Sequence, residues 1–423
     1  MLTVFHTADW HLGQSFFGFD RDYEHQQFLE WLLKTLDQHR PDALIISGDV
    51  FDTVNPSALA QRRYYDFLAT VSTSLPAMQI VITAGNHDSA ARLESPSSLL
   101  ESLNIRVVGT VSRNENDEID IHKFLVPIVS PTGITQAIVL AIPFLRPSDV
   151  PLLLEAEDPY LDGVKELYRR TTDAAVVMAE RIGEQVGGQI PIIAMGHCHV
   201  MGGIESRDSE RRIVIGGSEA VSPGMFPAEI AYVALGHLHK AQQFRQNRIR
   251  YCGSPLPLSF AESGYQHSLC RVCFEGCRVS TVEEIPVPRT IPLLSVPAKG
   301  AVPVDGLVDE LATLTLENDL PPERYPFLEL RILDQGPDPS RRVRIEDAVE
   351  NLPVRLASIK LETMARSASF DEEMLASGLA DLHSINPEEI LTNAFREKYQ
   401  ADPDQALLQA FREIVMQQET AEA

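Results

Sequence analysis

The chain has 423 residues and a formal net charge of −24, from 36 lysines and arginines against 60 aspartates and glutamates. Apolar residues make up 44% of it, enough to bury a core for two or three domains. The acidic balance excludes a free-standing basic nucleic-acid binder, but not an enzyme whose grip on DNA is local or supplied by a partner. The N-terminus goes directly into a strand-like run, Leu2-Thr3-Val4-Phe5, without a basic leader. No apolar stretch approaches the roughly 20 residues that a membrane helix needs. The expectation is a soluble, cytoplasmic protein with no membrane association.

Up to about residue 285, short apolar runs alternate with helical patterns, the signature of a layered α/β domain. Strands are expected at Leu2–Thr7, Ala43–Ser47, Gln79–Thr83, Ile138–Ile142, Ile190–Met195, Ile213–Ile215 and Tyr232–Leu235. A helix over Asp22–His39 places Phe28, Leu29, Leu32, Leu33 and Leu36 on one face, and Pro41 follows its end. Further helices are expected near Ser57–Thr70 and over Leu161–Val186. Five cysteines do not make a disulfide framework. Cys270, Cys273 and Cys277 lie close together, but no fourth cysteine completes a zinc knuckle. The alternation Leu269-Cys270-Arg271-Val272-Cys273-Phe274 before Glu275-Gly276 reads as a strand and a turn.

Pro286, Pro288, Pro292, Pro297 and Pro303 mark a linker and a new start. Beyond them the pattern is strand (Ile291–Val296), helix (Asp305–Leu314), strand (Phe327–Ile332), helix (Arg344–Leu352) and strand (Val354–Leu361). A loose connector rich in Ser, Glu and Asp occupies 366–385. Asn386-Pro387-Glu388-Glu389 and Asp402-Pro403-Asp404-Gln405 then open two short helices with N-cap residues, Pro at the first position and early acids. Ile390, Leu391, Ala394 and Phe395 give the first an apolar face, and Leu407, Leu408, Phe411, Ile414 and Val415 give the second one. Such faces need cover, either from the main domain or from a partner protein.

Five polar clusters follow apolar runs: Asp9-Trp10-His11, Gly48-Asp49-Val50-Phe51-Asp52, Gly85-Asn86-His87-Asp88, Gly196-His197-Cys198-His199 and Gly236-His237-Leu238-His239. The crevice beyond the carboxyl ends of strands is the usual ligand site of an α/β sheet. A glycine opens four of the clusters, which permits a sharp exit from the strand. Carboxylate, imidazole and amide oxygen together suit Mn²⁺, Fe²⁺ or Zn²⁺ better than Mg²⁺ or Ca²⁺. The candidate ligands are Asp9, His11, Asp49, Asn86, His197, His237 and His239. Seven exceed the needs of one ion, whereas two ions sharing a bridging carboxylate use them economically. Two ions roughly 3.5–4 Å apart can activate a water and stabilise both oxygens of an in-line phosphoryl displacement. Each residue alone has an ordinary reading as a cap, turn residue or buried histidine. All of them together would need five coincidences at strand ends. Asp52, Asp88 and His199 are weaker members: Asp52 and Asp88 fit a supporting role in orienting the others.

The ordered pattern D-x-H, G-D-x-x-D, G-N-H-D, G-H and G-H-x-H resembles the calcineurin-like binuclear metallophosphoesterases. Four longer stretches, His6–Gly13, Gly48–Thr53, Ile142–Pro147 and Tyr251–Phe260, are similar to the SbcD family of bacterial nuclease subunits, relatives of the double-strand-break repair nucleases. The resemblance implies a four-layer α/β/β/α sandwich over 1–285, a small α+β capping domain over 286–365, a linker over 366–385 and C-terminal helices over 386–423. It implies two divalent ions, Mn²⁺, one on Asp9, His11, Asp49 and His239, the other on Asp49, Asn86, His197 and His237. A hydroxide would attack the DNA phosphorus in line. His87 would be catalytic, protonating the leaving 3′-oxygen as a general acid. Asp52 stands where some archaeal and eukaryotic relatives carry a histidine, so no second catalytic histidine is carried over, and His199 has no counterpart. The implied partners are an SbcC-like coiled-coil ATPase bound through the tail helices, a second copy of the chain, and double-stranded and hairpin DNA. The implied activity is ATP-dependent 3′→5′ exonuclease with endonuclease cutting at hairpins. Arg146 and Arg245 are candidates for phosphate contact, with solvated surface arginines as the plainer reading. The competing functions are a phosphomonoesterase or cyclic-nucleotide phosphodiesterase of the same superfamily, and a scaffold that keeps the fold without catalysis.

Overall fold

Side-chain alternation along the strands divides the main core into two layers. The computed structural model describes residues 1–363, apart from 154, 207–208, 211–219, 318 and 337, together with Leu408. The chain forms two units, Met1–Glu362 and Thr363–Ala423, and nearly all described residues lie in the first. Strands β1 (Leu2–Thr7), β2 (Ala43–Ser47), β3 (Gln79–Thr83) and β4 (Ile105–Val108) run parallel and adjacent in that order. Val4, Ile45 and Val81 fall on one face, and Phe5, Leu44, Ile46, Ile80 and Ile82 on the other, as a period of two requires. Both faces are buried, which is why these strands read as near-continuous apolar runs.

The second face packs against α1 (Asp22–His39) and α2 (Ala58–Ser74). Helix α1 buries Phe28, Leu29, Leu32 and Leu36 and stops at Arg40, whose backbone is left-handed (φ 48°) and whose N–H donates to Leu36 O. Helix α2 starts at Ser57, whose side chain accepts from Ala60 N–H at 3.1 Å. Two short helices, α3 (Ala90–Glu94) and α4 (Ser97–Glu101), precede β4.

The chain then builds a second sheet from β5 (Leu125–Val129), β6 (Thr135–Leu140), β7 (Ile192–His197), β8 (Ile230–Gly236), β9 (Gln242–Phe244) and β10 (Ile249–Tyr251), in the order β5-β6-β7-β8-β10-β9. Its inner face meets the first sheet. His6 Nδ1 lies 3.0 Å from Tyr232 Oη across that boundary, and Ser47 Oγ donates to Ala234 O at 3.1 Å. The outer face is covered by α5 (Pro159–Val186) through Val164, Leu167, Tyr168 and Ala175. Asp158 caps α5, Pro159 follows, and left-handed Gly187 ends it. The layers are therefore α/β/β/α, the expected sandwich.

Hairpin β11 (Ser268–Glu275) and β12 (Arg278–Pro286) returns to the first sheet beside β1. Cys270 and Cys273 are buried in β11 and Cys277 lies in the turn, so the strand-and-turn reading holds; all five cysteines are free. A third sheet, β13-β14-β15, contains β13 (Leu293–Val296), β14 (Phe327–Asp334) and β15 (Arg355–Thr363). With α6 (Leu307–Leu311) and α7 (Arg341–Val349) it has a core of Val296, Leu328, Leu330, Ile332 and Ile345. A second cluster, Phe16, Phe260, Ile291 and Phe327, ties this small unit to the sandwich.

Several elements differ from expectation. The helix expected over Asp305–Leu314 is a 3₁₀ turn, Val304–Gly306, followed by the five residues of α6. Strands β6 and β7 are offset by two or three residues from the apolar runs that predicted them. The expected strand Ile213–Ile215 and the tail helices lie outside the described residues. Among the described residues no helix is long and apolar enough to cross a membrane.

Candidate metal centre

The five polar clusters converge where the parallel strands of both sheets end. Asp9, His11, Asp49 and His237 all adopt positive φ (55°, 45°, 49° and 103°), a conformation that costs L-residues roughly 1–2 kcal/mol each. Specific contacts hold them there. Asp9 N–H donates to Gly48 O and His11 N–H to Asp49 O, at 3.1 and 3.0 Å. His237 N–H donates to Asp9 Oδ1 and His87 N–H to Asp49 Oδ1, both at 2.9 Å. Each carboxylate thus uses one oxygen to pin a neighbouring loop and keeps the other for the centre.

The histidines are oriented the same way. His197 Nδ1 lies 2.9 Å from Ser47 O, His239 Nδ1 2.9 Å from Glu262 Oε1, and His11 Nδ1 3.2 Å from Asp52 Oδ1. Carbonyls and carboxylates only accept, so each Nδ1 carries the proton and each Nε2 is presented inward. This is the outer contact that ligating histidines ordinarily make.

Asp49 is central. Its Oδ2 lies 3.6 Å from His11 Nε2 and 3.3 Å from His197 Nε2, and Asn86 Oδ1 is 2.9 Å from that same His197 nitrogen. Asp9 Oδ2 and His11 Nε2 are buried with no protein hydrogen-bond partner. Buried polar atoms without partners are costly, and these two, grouped with an oxygen of Asp49 within 4.8 Å of one another, fit a cationic ligand. The rings of His197 and His237 are 5.4 Å apart and those of His11 and His239 are 5.3 Å apart. Burial pushes the Asp9 carboxyl up to about 6 and the His237 ring well below its ordinary range. Burial also opposes charge on Asp49 and His197, but their mutual attraction wins: the carboxyl is held well below its usual range and the ring rises to about 9. The cluster is therefore built to hold positive charge between acids.

Two glycines make room for this. A Cβ on Gly85 would fall 2.1 Å from Asp49 Oδ1, and one on Gly48, where φ is +85°, would fall 2.3 Å from His197 Nδ1. The glycines before the clusters thus serve clearance at least as much as turning.

All seven candidate ligands therefore come together. His87 is at the same place, its ring centroid 4.7 Å from that of His11 and its Nδ1 2.8 Å from Asp52 O. Asp52 orients His11 through its carboxylate and His87 through its carbonyl. Donor atoms of His11, Asp52 and His87 also lie within 4.8 Å of one another, but these orienting contacts already account for that grouping. Asp88 is buried and accepts from the N–H groups of Val50, Phe51 and Gly85, so it fastens the second cluster to the third. His199 pairs with Glu205 at 3.1 Å and its ring is 6.5 Å from His237. Arg146 sits beyond the site-facing end of β6, but Arg245 does not belong here. It lies in the turn before β10, which runs parallel to β8, so the turn is at the opposite end of the sheet from His237. Ile249, directly after the turn, pairs with Val233, four residues before His237 and roughly 13 Å from it along the strand.

Sequence reasoning missed three supports. Glu262 holds His239 Nδ1, Glu210 Oε1 accepts from His239 N–H at 2.6 Å, and the Ser47 carbonyl holds His197. Glu262 follows directly on the Tyr251–Phe260 stretch and was within reach. A carbonyl has no sequence signature, and Glu210 lies in a loop without periodicity.

Similarity to known proteins decides the group. A calcineurin-like phosphoesterase profile matches residues 2–241, and the SbcD_C profile, described as Type 5 capsule protein repressor C-terminal domain, matches 289–399. A Rhodobacter capsulatus protein named as the SbcD component of the nuclease SbcCD is 41% identical over 361 residues, covering 85% of this chain and 87% of that one. The chain belongs to the SbcD family of calcineurin-like phosphoesterases. Members of the same name from Escherichia coli and Bacillus subtilis are each 33% identical, covering 89% and 79% of this chain and 88% and 80% of theirs. The family is binuclear and metal-dependent, and the donor set described above is of the kind it requires.

Proposed function

We propose that this chain is the nuclease component of an SbcCD-type complex, cutting phosphodiester bonds of double-stranded DNA from its ends in the 3′→5′ direction and opening hairpins. The observation that carries this reading is Asp49 Oδ2 placed between the inward nitrogens of His11 and His197. Asp9, His11, Asp49 and His239 would hold one divalent ion, and Asp49, Asn86, His197 and His237 the other, with Asp49 bridging. Mn²⁺ suits this mixture of imidazole, carboxylate and amide oxygen. Two such ions supply Lewis acidity and lower the pKa of water at the scissile phosphate.

The protein groups supply the rest. The charge of −24 makes the chain alone a weak DNA binder, so phosphate contact falls largely to a partner. Asn86 and the Nε2 atoms of His11, His197 and His239 fix the geometry, because the outer contacts of the three rings prevent rotation. His87, held by the Asp52 carbonyl, donates a proton to the leaving 3′-oxygen. Domains at 1–285 (nuclease), 286–365 (capping, DNA-contacting), 366–385 (linker) and 386–423 (docking onto an SbcC-like coiled-coil ATPase) organise the assembly. It would work in the cytoplasm with two copies of the chain. ATP use by that partner couples to cutting.

The test is cleavage of blunt duplex and hairpin DNA with Mn²⁺, with and without the ATPase partner, beside a chromogenic phosphomonoester. Cutting of both DNA substrates, stimulated by partner and ATP, is expected. Strong monoester turnover without DNA cleavage would sink the proposal. For the tail, deletion of 386–423 is expected to abolish co-purification with the ATPase.

A further inference from the structure

Glu262 is a carboxylate with no exposed surface, carried on the 3₁₀ turn Phe260–Glu262. Such a group is costly unless a cation and hydrogen bonds offset its burial. Here Oε1 takes the Nδ1–H of His239 at 2.9 Å and also the hydroxyl of Ser209, while Oε2 accepts from Leu258 N–H at 2.7 Å. Both oxygens are therefore committed, and the carboxylate cannot turn without breaking a contact. The ring it holds has its other nitrogen facing the candidate centre.

The turn itself is anchored from the third sheet. Phe260 packs on Phe16 with ring centroids 5.2 Å apart, and Phe16 packs on Phe327 of β14 at 4.6 Å. Arginines pack on two rings of this stack: Arg21 Cζ is 5.1 Å from the centroid of the central Phe16 ring and Arg355 Cζ 3.7 Å from that of Phe327. Arg21 also donates to Pro257 O at 2.7 Å, holding the chain that leads into the turn. A continuous packed path thus runs from Phe327 through Phe16 and Phe260 to Glu262 and His239. Interiors at native density transmit displacement along such paths instead of absorbing it.

We infer that Glu262 is a positioning residue for the metal centre and that the small third sheet sets its position through the Phe16–Phe260–Phe327 cluster. The inference rests on the binuclear reading above. It means that anything shifting the third sheet changes how His239 meets a cation, with no contact to the centre itself.

The experiment is Mn²⁺ titration by calorimetry, with the paramagnetic resonance spectrum of the bound ion, on full-length wild type, Glu262→Gln, Glu262→Leu and Phe327→Ala. Circular dichroism monitors folding. Glu262→Leu keeps the volume and removes the acceptor, and is expected to weaken Mn²⁺ binding by about 10–100-fold. Glu262→Gln, which can still accept the Nδ1–H, is expected to restore most of that loss. Phe327→Ala touches none of the seven residues and is expected to weaken binding by a smaller factor and alter the spectrum. Wild-type affinity and spectrum in folded Glu262→Leu would overturn the positioning role. A lower melting temperature in Phe327→Ala with unchanged affinity and spectrum would overturn the coupling. Should Glu262→Leu not fold, Glu262→Ala, which also removes the acceptor, takes its place, and wild-type affinity and spectrum in folded Glu262→Ala would overturn the positioning role. A wild-type chain that binds no Mn²⁺ would instead overturn the binuclear reading on which it rests.

Discussion

His87 Nδ1 lies 2.8 Å from the carbonyl oxygen of Asp52, so this ring is oriented by backbone and not by a carboxylate. A carbonyl accepts only, which places the proton on Nδ1 and turns Nε2 to the other side of the ring. To deliver a proton the ring must also carry one on Nε2, as an imidazolium; the carbonyl fixes its aim, as the Ser47 carbonyl does for His197, whereas the Nδ1 atoms of His11 and His239 face acids. His87→Ala is expected to lower DNA cleavage by at least about 10²–10⁴-fold while two metal equivalents remain bound. Loss of metal along with activity would make His87 a ligand instead.

Asp49 contacts groups assigned to both ions, so its loss should not be local. Asp49→Asn is expected to empty both positions, measured as metal per chain by elemental analysis after dialysis. Retention of one equivalent at wild-type affinity would refute the bridging role.

Gly85 borders the Asp49 carboxylate across space that a methyl group would fill. Gly85→Ala is expected to cost about 1–3 kcal/mol in urea unfolding and to weaken metal binding, since the contact at 2.1 Å can be relieved only by moving Asp49. Gly188→Ala, where nothing lies within 4 Å of the added carbon, serves as the control and is expected to leave metal binding unchanged.

Stability should fall in mild acid for a reason separate from the metal centre. Burial, helped by the nearby charges of Arg250 and Arg21 respectively, holds the rings of His6 and His25 down from the ordinary 6.5 to about 3. Between those values the unfolded chain carries the proton and the folded chain does not. Unfolding free energy therefore decreases as pH falls from about 6.5 toward 3, with a slope of up to about 1.4 kcal/mol per pH unit for each ring. Urea titrations at pH 6 and 5 test this. His6→Leu is expected to flatten the pH dependence by its share, and an unaltered slope would refute the assignment to His6.

Strands β1 to β3 of the first sheet were legible in the sequence because they are near-continuous apolar runs buried on both faces. β1, β2, β3 and α1 match their expected limits residue for residue. The convergence of the polar clusters was legible for the same reason, since each follows an apolar run. β4 and β5 were missed because a four-residue strand and one interrupted by Pro127 carry too little pattern. The β9–β10 hairpin was missed too, and with it the direction of the chain around Arg245. Nearness in sequence to His237 was mistaken for nearness in space, because only topology reveals that the turn sits at the far end of β8. The supports of the site depend on partners 23 to 150 residues distant, as in His239–Glu262 and His197–Ser47, and no local pattern encodes them.

The division of the seven side chains between two sheets has a consequence for the protein while it is being made. Asp9, His11, Asp49 and Asn86 leave the ribosome first, and His197 comes 111 residues after Asn86. At usual translation speeds that interval is roughly 5–20 s. During it the emerging chain carries only the first half of the centre. A polypeptide stalled before residue 197 therefore lacks three of the seven candidate ligands, and the centre is completed only together with the second sheet.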